Sequence, residues 1–247
     1  MAGLYWLKRP IAHRGLHDAA RGIAENSASS VRAAIGAGFA IEVDLQCTAD
    51  HLPIVFHDAT LDRLTAASGP VAALSAEALA KIPLRDGPDF ILSFPALLAL
   101  VNGHVPLILE VKSTWTRAGL FERNIAAMLA PYPGPVAVMS FDPYCVSAFR
   151  DLAPNLPRGL IAERFDDLRH WPQLSSWQRF QMRHLLTAVV ARPDFIAYDI
   201  KALPAVAPLI ARFLFGLPLL TWTVRCEEER ERAMRYADAM IFERIAP

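Results

Sequence analysis

The stretch that decides the fold is 39–46, F-A-I-E-V-D-L-Q, in which apolar and polar side chains alternate. This two-residue period is that of a β-strand, whose successive side chains point to opposite faces. Glu42 and Asp44 therefore share one face with Gln46. Two carboxylates on one strand face repel each other, and burying them without a partner is unfavourable.

Two interpretations of this polar face remain open. In the first, the face is simply solvated, and from this stretch alone we favour it because such alternation is common. In the second, Glu42 and Asp44 hold a divalent cation, since hard ions such as Mg²⁺ and Ca²⁺ take oxygen ligands.

Length and composition restrict the class of protein. The chain has 247 residues, 53% of them hydrophobic, which suits one α/β barrel with a large core. Its 25 basic and 25 acidic residues cancel, so no overall field favours nucleic acid, and an anionic substrate must be captured locally. Three scattered cysteines form no CxxC pair, and neither a signal peptide nor a transmembrane stretch is apparent. We therefore expect a soluble cytoplasmic protein.

Short apolar strands alternate with helices along the rest of the chain. Besides one hairpin arm, eight strands are predicted: Pro10–His13, Phe39–Gln46, Val105–Lys112, Pro135–Ser140, Pro157–Ala162, Asp194–Tyr198, Pro218–Val224 and Ala239–Phe242. Pro53–His57 follows the central strand too closely for a parallel crossover, so we expect it to run back antiparallel. This rhythm predicts an α/β fold, a (β/α)8 TIM barrel forming a single domain over 1–247, with a short insertion at 58–95 after the second strand. The alternative, an open doubly wound sheet, lacks a glycine-rich phosphate loop here.

Helices are predicted between these strands. The first is capped by Asn26 or Ser27 and stops at a glycine before the central strand, and the others are Leu74–Ile82 capped by Ser75, Phe94–Val101, Tyr144–Leu152, Ala205–Phe215 and Glu227–Tyr236. Residues 163–193 depart from the rhythm, and we favour a longer barrel helix with a solvated basic face. The alternative is a partner-binding or membrane-surface patch, because arginines beside Trp171 and Trp177 are typical of interfacial helices.

Several candidate catalytic groups fall at or near the ends of predicted strands, which a barrel gathers on one face. Glu42, Asp44 and Glu110 together make a site for a hard metal ion, while His13 and His57 are candidates for general acid and base.

Two cations accompany these groups. Arg14 and Lys112 supply positive charge for an anionic oxygen, and a guanidinium can bind such a group with two hydrogen bonds. Taken alone, Glu110 and Lys112 on one strand face are slightly more typical of a structural ion pair than of a site. A metal, an acid, a base and cations together indicate phosphoryl chemistry.

Seven short motifs then follow one another in a recognisable order: H-R at 13–14, E-N-S at 25–27, E-V-D at 42–44, H-D at 57–58, L-D-R at 61–63, L-E-V-K at 109–112 and T-W-T-V at 221–224. On these motifs the chain resembles the glycerophosphodiester phosphodiesterase family over nearly its whole length. The resemblance implies a barrel of the phosphatidylinositol-phospholipase C type. It also implies a metal-dependent hydrolase that cleaves glycerophosphodiesters to glycerol 3-phosphate and an alcohol.

The resemblance implies a role for each matching residue. These roles are catalysis for His13 and His57, substrate binding for Arg14, Lys112 and Trp222, and coordination of Mg²⁺ or Ca²⁺ for Glu42, Asp44 and Glu110. Ordinary barrel packing is the alternative for Trp222.

The chain departs from the family pattern mildly at E-N-S, where the family has E-N-T, and more clearly at two other places. It ends its last strand with Phe242-Glu243 where the family usually has Thr-Asp, and its insertion is short. The alcohol is therefore weakly specified, and a lysophospholipase D-type activity on lysophospholipids is an alternative. A non-enzymatic barrel that binds a cation and a partner is the third interpretation. The oligomeric state is not indicated.

Overall fold

The structure is a computed structural model that describes residues 4–113, 115 and 119–247. Ten strands form one sheet: β1 (Ile11–Ala12), β2 (Ala40–Cys47), β3 (Pro53–Val55), β4 (Leu92–Ser93), β5 (Leu107–Val111), β6 (Val136–Ser140), β7 (Arg158–Ala162), β8 (Phe195–Asp199), β9 (Leu219–Val224) and β10 (Ala239–Phe242). Eight of them run parallel and close into a barrel, because β1 pairs with β10 on one side and with β2 on the other. The predicted TIM barrel is confirmed.

Helices surround this barrel: α1 (Ala28–Ala37), α2 (Ala76–Leu79), α3 (Phe94–Val101), α4 (Leu120–Leu129), α5 (Pro143–Leu152), α6 (Ser176–Arg183), α7 (Ala188–Ala191), α8 (Val206–Phe213) and α9 (Glu227–Tyr236). Ser27 is the residue that caps α1, since its side chain accepts a hydrogen bond from the backbone N–H of Ser30. α4 was not among the helices predicted from the sequence. No helix within the described residues is both long enough and apolar enough to span a bilayer.

The hairpin arm after β2 is confirmed. β3 pairs antiparallel with β2, with Leu45 opposite Val55, and β4 pairs antiparallel with β3. The hairpin arm and the insertion share a buried apolar cluster that includes Phe56, Leu61 and Leu79. A helix was predicted at 74–82, but the observed helix α2 is shorter. Ser75 caps it as predicted. The arm is thereby held as a packed unit beside the end of β2.

Segment 163–193 differs from the prediction of one long helix. Residues 163–175 form no helix, and the helical part is divided into α6 and α7. Trp171 belongs to the non-helical part, where its ring lies 4.9 Å from that of Phe141, centroid to centroid. The prediction of one long helix was wrong because Trp171 packs over the end of the barrel instead of extending a helical face.

The barrel interior is filled by large side chains set against small ones. Phe195 on β8 is fully buried there beside Ala137 and Ala197. A Cβ placed on Gly159 of β7 would lie 2.2 Å from Cε2 of the Phe195 ring, so glycine is the residue that leaves room for the ring. The interior is a packed core, as in other barrels of this type.

We therefore expect Gly159→Ala to lower the free energy of unfolding by about 1–3 kcal/mol, the usual cost of overpacking a dense core. Urea denaturation followed by circular dichroism would measure it. Gly36→Ala is the matched control, because Gly36 lies in α1 with no atom within 4 Å of the added Cβ. The control should gain about 0.4–1 kcal/mol. Equal effects of the two substitutions would contradict the proposed close packing at Gly159.

Candidate active site

Three carboxylates converge at the C-terminal end of the barrel. Glu42 and Asp44 lie on β2, and Glu110 lies opposite Asp44 on the neighbouring parallel strand β5. One oxygen of each lies within 4.8 Å of the others. Glu42 and Asp44 are each 0% exposed, and Glu110 is 9% exposed. The interpretation of this face as solvated was wrong, because the closed barrel covers it.

These acids have very different electrostatic environments. Burial, together with the nearby charges of Asp44 and Glu110, raises the pKa of Glu42 well above its ordinary value. Burial would also raise the pKa of Asp44, but the positive charges around it, above all that of Lys112, lower it well below the ordinary value. Glu42 Oε2 accepts a hydrogen bond of 3.0 Å from the backbone N–H of Arg14. Its Oε1 is buried and has no hydrogen-bond partner among the described residues.

Two cations border the carboxylates. Lys112 Nζ lies 2.8 Å from Asp44 Oδ1 and also contacts Glu110 Oε1, so the ion pair predicted between Glu110 and Lys112 is confirmed. Arg14 Nε lies 3.3 Å from Asp44 Oδ2, and its Nη1 donates a 2.7 Å hydrogen bond to Glu25. Both cations thus stand beside the acidic cluster, where they could bind an anionic oxygen.

His13 lies directly after β1 and is held by a carboxylate. Its Nδ1 lies 3.2 Å from Glu243 Oε2, and its Nε2 lies 4.0 Å from Glu42 Oε2. Burial lowers the pKa of His13, and the hydrogen bond to Glu243 opposes that shift. The same hydrogen bond is the largest factor that lowers the pKa of Glu243, to about 2. A charged carboxylate on Nδ1 fixes the tautomer of the ring.

His57 lies just beyond the hairpin strand β3 and has an equivalent partner. Its Nδ1 lies 2.7 Å from Asp58 Oδ1. Arg63 donates to Asp58 over 2.6 Å and to Glu25 over 2.8 Å, which ties the insertion to the first loop of the barrel. The backbone carbonyl of His57 accepts a 2.7 Å hydrogen bond from the side chain of Gln46. His57 is therefore held from both its ring and its backbone.

Both histidines and both cations border one cavity of about 490 Å³ together with Glu110. Glu42 and Asp44 are fully buried and cluster with Glu110. A family model described as the glycerophosphoryl diester phosphodiesterase family matches residues 13–246 of the chain. The chain belongs to this family. Membership places it among the phosphodiesterases, and hence among enzymes.

Curated relatives and solved structures of the glycerophosphodiester phosphodiesterase family resemble the chain over most of its length. Glycerophosphodiester phosphodiesterase 1 of Bos taurus is 26% identical over 255 residues, which is 89% of this chain and 72% of that protein. YhdW of Bacillus subtilis is 32% identical over 160 residues, 61% of this chain and 64% of that protein. A phosphodiesterase of Oleispira antarctica, solved with sn-glycerol-3-phosphate, is 18% identical and superimposes with a TM-score of 0.73 over 95% of this chain and 92% of that one. At this identity the structural likeness supports the fold alone.

The family member also has an aromatic wall, which we define as Trp115, Phe141, Trp171 and Trp222. These four side chains border the same cavity as the two histidines. The ring centroids of Phe141 and Trp222 lie 5.6 Å apart, and those of Trp115 and Trp171 lie 5.9 Å apart. Trp171 is oriented by a 2.6 Å hydrogen bond from its Nε1 to Glu163. Trp222 borders the cavity as the family resemblance implied, in an arrangement suited to an apolar group of a substrate.

Sequence reasoning missed the partners of these groups. Asn26 was considered only as a helix cap, but its side chain donates a 2.8 Å hydrogen bond to Asp44 and accepts one from the Asp44 backbone. Asp58 and Glu243 were not assigned as partners of the two histidines. A signal existed for Asp58, since it stands beside His57 in the H-D motif. Glu243 was noted only as a departure from the family pattern.

Proposed function

We propose that this family member is a metal-dependent phosphodiesterase that hydrolyses glycerophosphodiesters to glycerol 3-phosphate and an alcohol. The observation that carries the proposal is one cavity bordered by two imidazoles, each with Nδ1 near a carboxylate, and by Glu110, which clusters with two buried acids. In this proposal His13 and His57 are the general acid and base, and the whole site belongs to one barrel domain over residues 1–247. Three free cysteines support a cytoplasmic location.

The acidic cluster fits a divalent cation. Its three carboxylates are buried together, and Glu42 Oε1 has no hydrogen-bond partner among the described residues. Glu42, Asp44 and Glu110 would hold Mg²⁺ or Ca²⁺, since both ions take oxygen ligands. When bound, the ion would neutralise charge that develops on the phosphate oxygens during the reaction.

The two histidines can divide the proton transfers between them. Because Nδ1 of each ring faces a carboxylate, Nε2 is the nitrogen left for exchange with substrate. In direct hydrolysis one histidine removes a proton from the attacking water as the new P–O bond forms, and the other protonates the alcohol oxygen as the old P–O bond breaks. If the neighbouring glycerol hydroxyl attacks first, the same two transfers release the alcohol, and water then opens the cyclic phosphate to give glycerol 3-phosphate. Glu243 and Asp58 position the rings, while Arg14 and Lys112 bind phosphate oxygens. Trp222 borders the substrate.

The aromatic wall favours a second candidate, a lysophospholipase D-type activity on lysophospholipids. An apolar surface inside the cavity would suit a substrate with an acyl chain better than a small polar diester. Product release from a soluble glycerophosphodiester and from micellar lysophospholipid, measured side by side, separates the two. A higher kcat/KM on the micellar substrate would favour the second candidate.

The proposed function is tested by assaying a panel of glycerophosphodiesters with Mg²⁺, with Ca²⁺ and with a chelator. We expect glycerol 3-phosphate to be released with a divalent cation present, to stop on chelation, and to resume when the cation is added back. Hydrolysis that persists at the full rate in chelator would contradict the metal-dependent mechanism. Cation binding without hydrolysis of any phosphodiester would support the third interpretation, a non-enzymatic barrel.

A further inference from the structure

An apolar groove runs along one side of the barrel, away from the active site. It lies between residues 184–193 and α8, and its volume is about 820 Å³. Its lining includes large apolar side chains that solvent reaches freely: Val189 is 80% exposed, Val206 74% and Phe215 67%. Contiguous exposed apolar surface of this kind is uncommon on a monomer and marks a contact surface.

An aromatic ladder on α6 extends the groove. Trp177 and Phe180 stack with their ring centroids 5.4 Å apart, and Phe180 lies 4.5 Å from the ring of His184, which itself lines the groove. Both Trp177 and Phe180 are exposed. We call the ladder and the groove together the side surface. It is formed by residues 176–192 and 205–215.

The two segments that form the side surface contain basic residues but no acidic residues. Residues 176–192 and 205–215 contain four arginines, Arg179, Arg183, Arg192 and Arg212, and no aspartate or glutamate, although acids and bases balance over the whole chain. Asp166 and Asp238, from outside these segments, pair with Arg183 and Arg212. Arg192 lines the groove and has no carboxylate within 4.0 Å among the described residues. The surface thus combines exposed aromatic and aliphatic groups with positive charge.

We propose that the side surface binds the protein peripherally to a bilayer that contains anionic phospholipid. Apolar side chains would enter the boundary between headgroups and acyl chains, while the arginines face lipid phosphates, the arrangement typical of interfacial helices. A second copy of the chain fits less well. In a two-fold dimer the same patch meets itself, so it would bring arginines together with no acid of either segment to pair with them.

Sedimentation with vesicles tests the proposal. We expect the protein to bind vesicles of equimolar phosphatidylcholine and phosphatidylglycerol, to bind phosphatidylcholine alone much more weakly, and to be released by salt. Val189→Ser with Phe215→Ser should lower the partition coefficient on anionic vesicles about tenfold or more, because apolar burial is lost. Arg192→Gln should lower it about fivefold, the effect of one basic residue near an anionic surface.

Met234→Ser is the matched control. Met234 is a 58% exposed side chain on α9, outside the side surface, so its loss should leave vesicle binding unchanged. Equal binding to both vesicle types, binding to neither, or an equal loss in the control would each overturn the proposal. Analytical ultracentrifugation completes the test: a dimer weakened by the double substitution, without vesicle binding, would assign the surface to a second copy. If the double variant fails to fold, Arg192→Gln alone decides between the outcomes.

Discussion

Replacing His57 with alanine is expected to lower kcat for a glycerophosphodiester by about 10²–10⁴-fold, the usual contribution of a positioned acid or base. His57 is a good test because little else depends on it. It lies on the loop after β3, its side chain is 32% exposed, and its ring is held by Asp58. His13→Ala should lower kcat by a similar factor. The double variant should lose less than the product of the two single losses, because the two groups act on one reaction.

The control for these variants is His104→Ala. His104 is exposed and precedes β5 at the opposite end of the barrel from the cavity, so its loss should leave kcat unchanged. Steady-state kinetics at a fixed metal concentration, together with thermal unfolding of each variant, separate catalysis from folding. Near-normal turnover in His13→Ala or His57→Ala, with the fold intact, would exclude the His/His mechanism proposed here.

The barrel could be predicted from sequence because its strands are buried on both faces. Val105–Lys112 was predicted and β5 is Leu107–Val111, a run in which every residue is buried. α9 was predicted with the observed bounds, since its acidic first turn marks its start. α4 was missed although its buried residues Phe121, Ile125 and Leu129 recur every fourth residue, which is a helical period.

Residues 163–193 could not be predicted from local pattern. The tryptophans and arginines gave a helical appearance, but the position of Trp171 is decided by contacts outside any helical turn. Its ring packs against Phe141, which lies beyond β6, and its Nε1 donates to Glu163. Tertiary contacts of this kind outweigh helix propensity, which is a weak preference.

Within the candidate site, the meeting of the acids could be predicted but their environment could not. Parallel strands in register place Asp44 beside Glu110, which follows from the fold. Whether the strand face that carries these acids is solvated depends on what covers it. The alternation of apolar and polar residues does not determine this. The support of His57 is harder still to predict, because Arg63, which holds Asp58, is itself bound by Glu25 from 38 positions earlier in the chain.

The second large effect is expected from Glu42→Gln, and it concerns stability as well as activity. In the metal-free protein Glu42 is a fully buried carboxylate beside two other acids, with one oxygen lacking a hydrogen-bond partner among the described residues. A neutral amide of the same shape removes like-charge repulsion and can donate to the neighbouring carboxylates. We expect the free energy of unfolding of the metal-free variant to exceed that of the unsubstituted protein by about 1–3 kcal/mol. This is the order of the cost of an unpaired buried polar group.

With divalent metal present, the unsubstituted protein should become the more stable of the two. Mg²⁺ or Ca²⁺ should raise the melting temperature of the unsubstituted protein, because a ligand that binds only the folded state stabilises it, and should have much less effect on Glu42→Gln. Glu77→Gln is the control: Glu77 is exposed on α2 and pairs only with Lys81 among the described residues, so neither its stability nor its response to metal should change. Thermal unfolding with chelator and across a metal titration measures both effects. If Glu42→Gln is less stable without metal and still gains from it, Glu42 is a structural residue and the ion is held elsewhere. If the stability rises while the metal response and turnover are lost together, then the buried acids are retained for the cation at the expense of the fold.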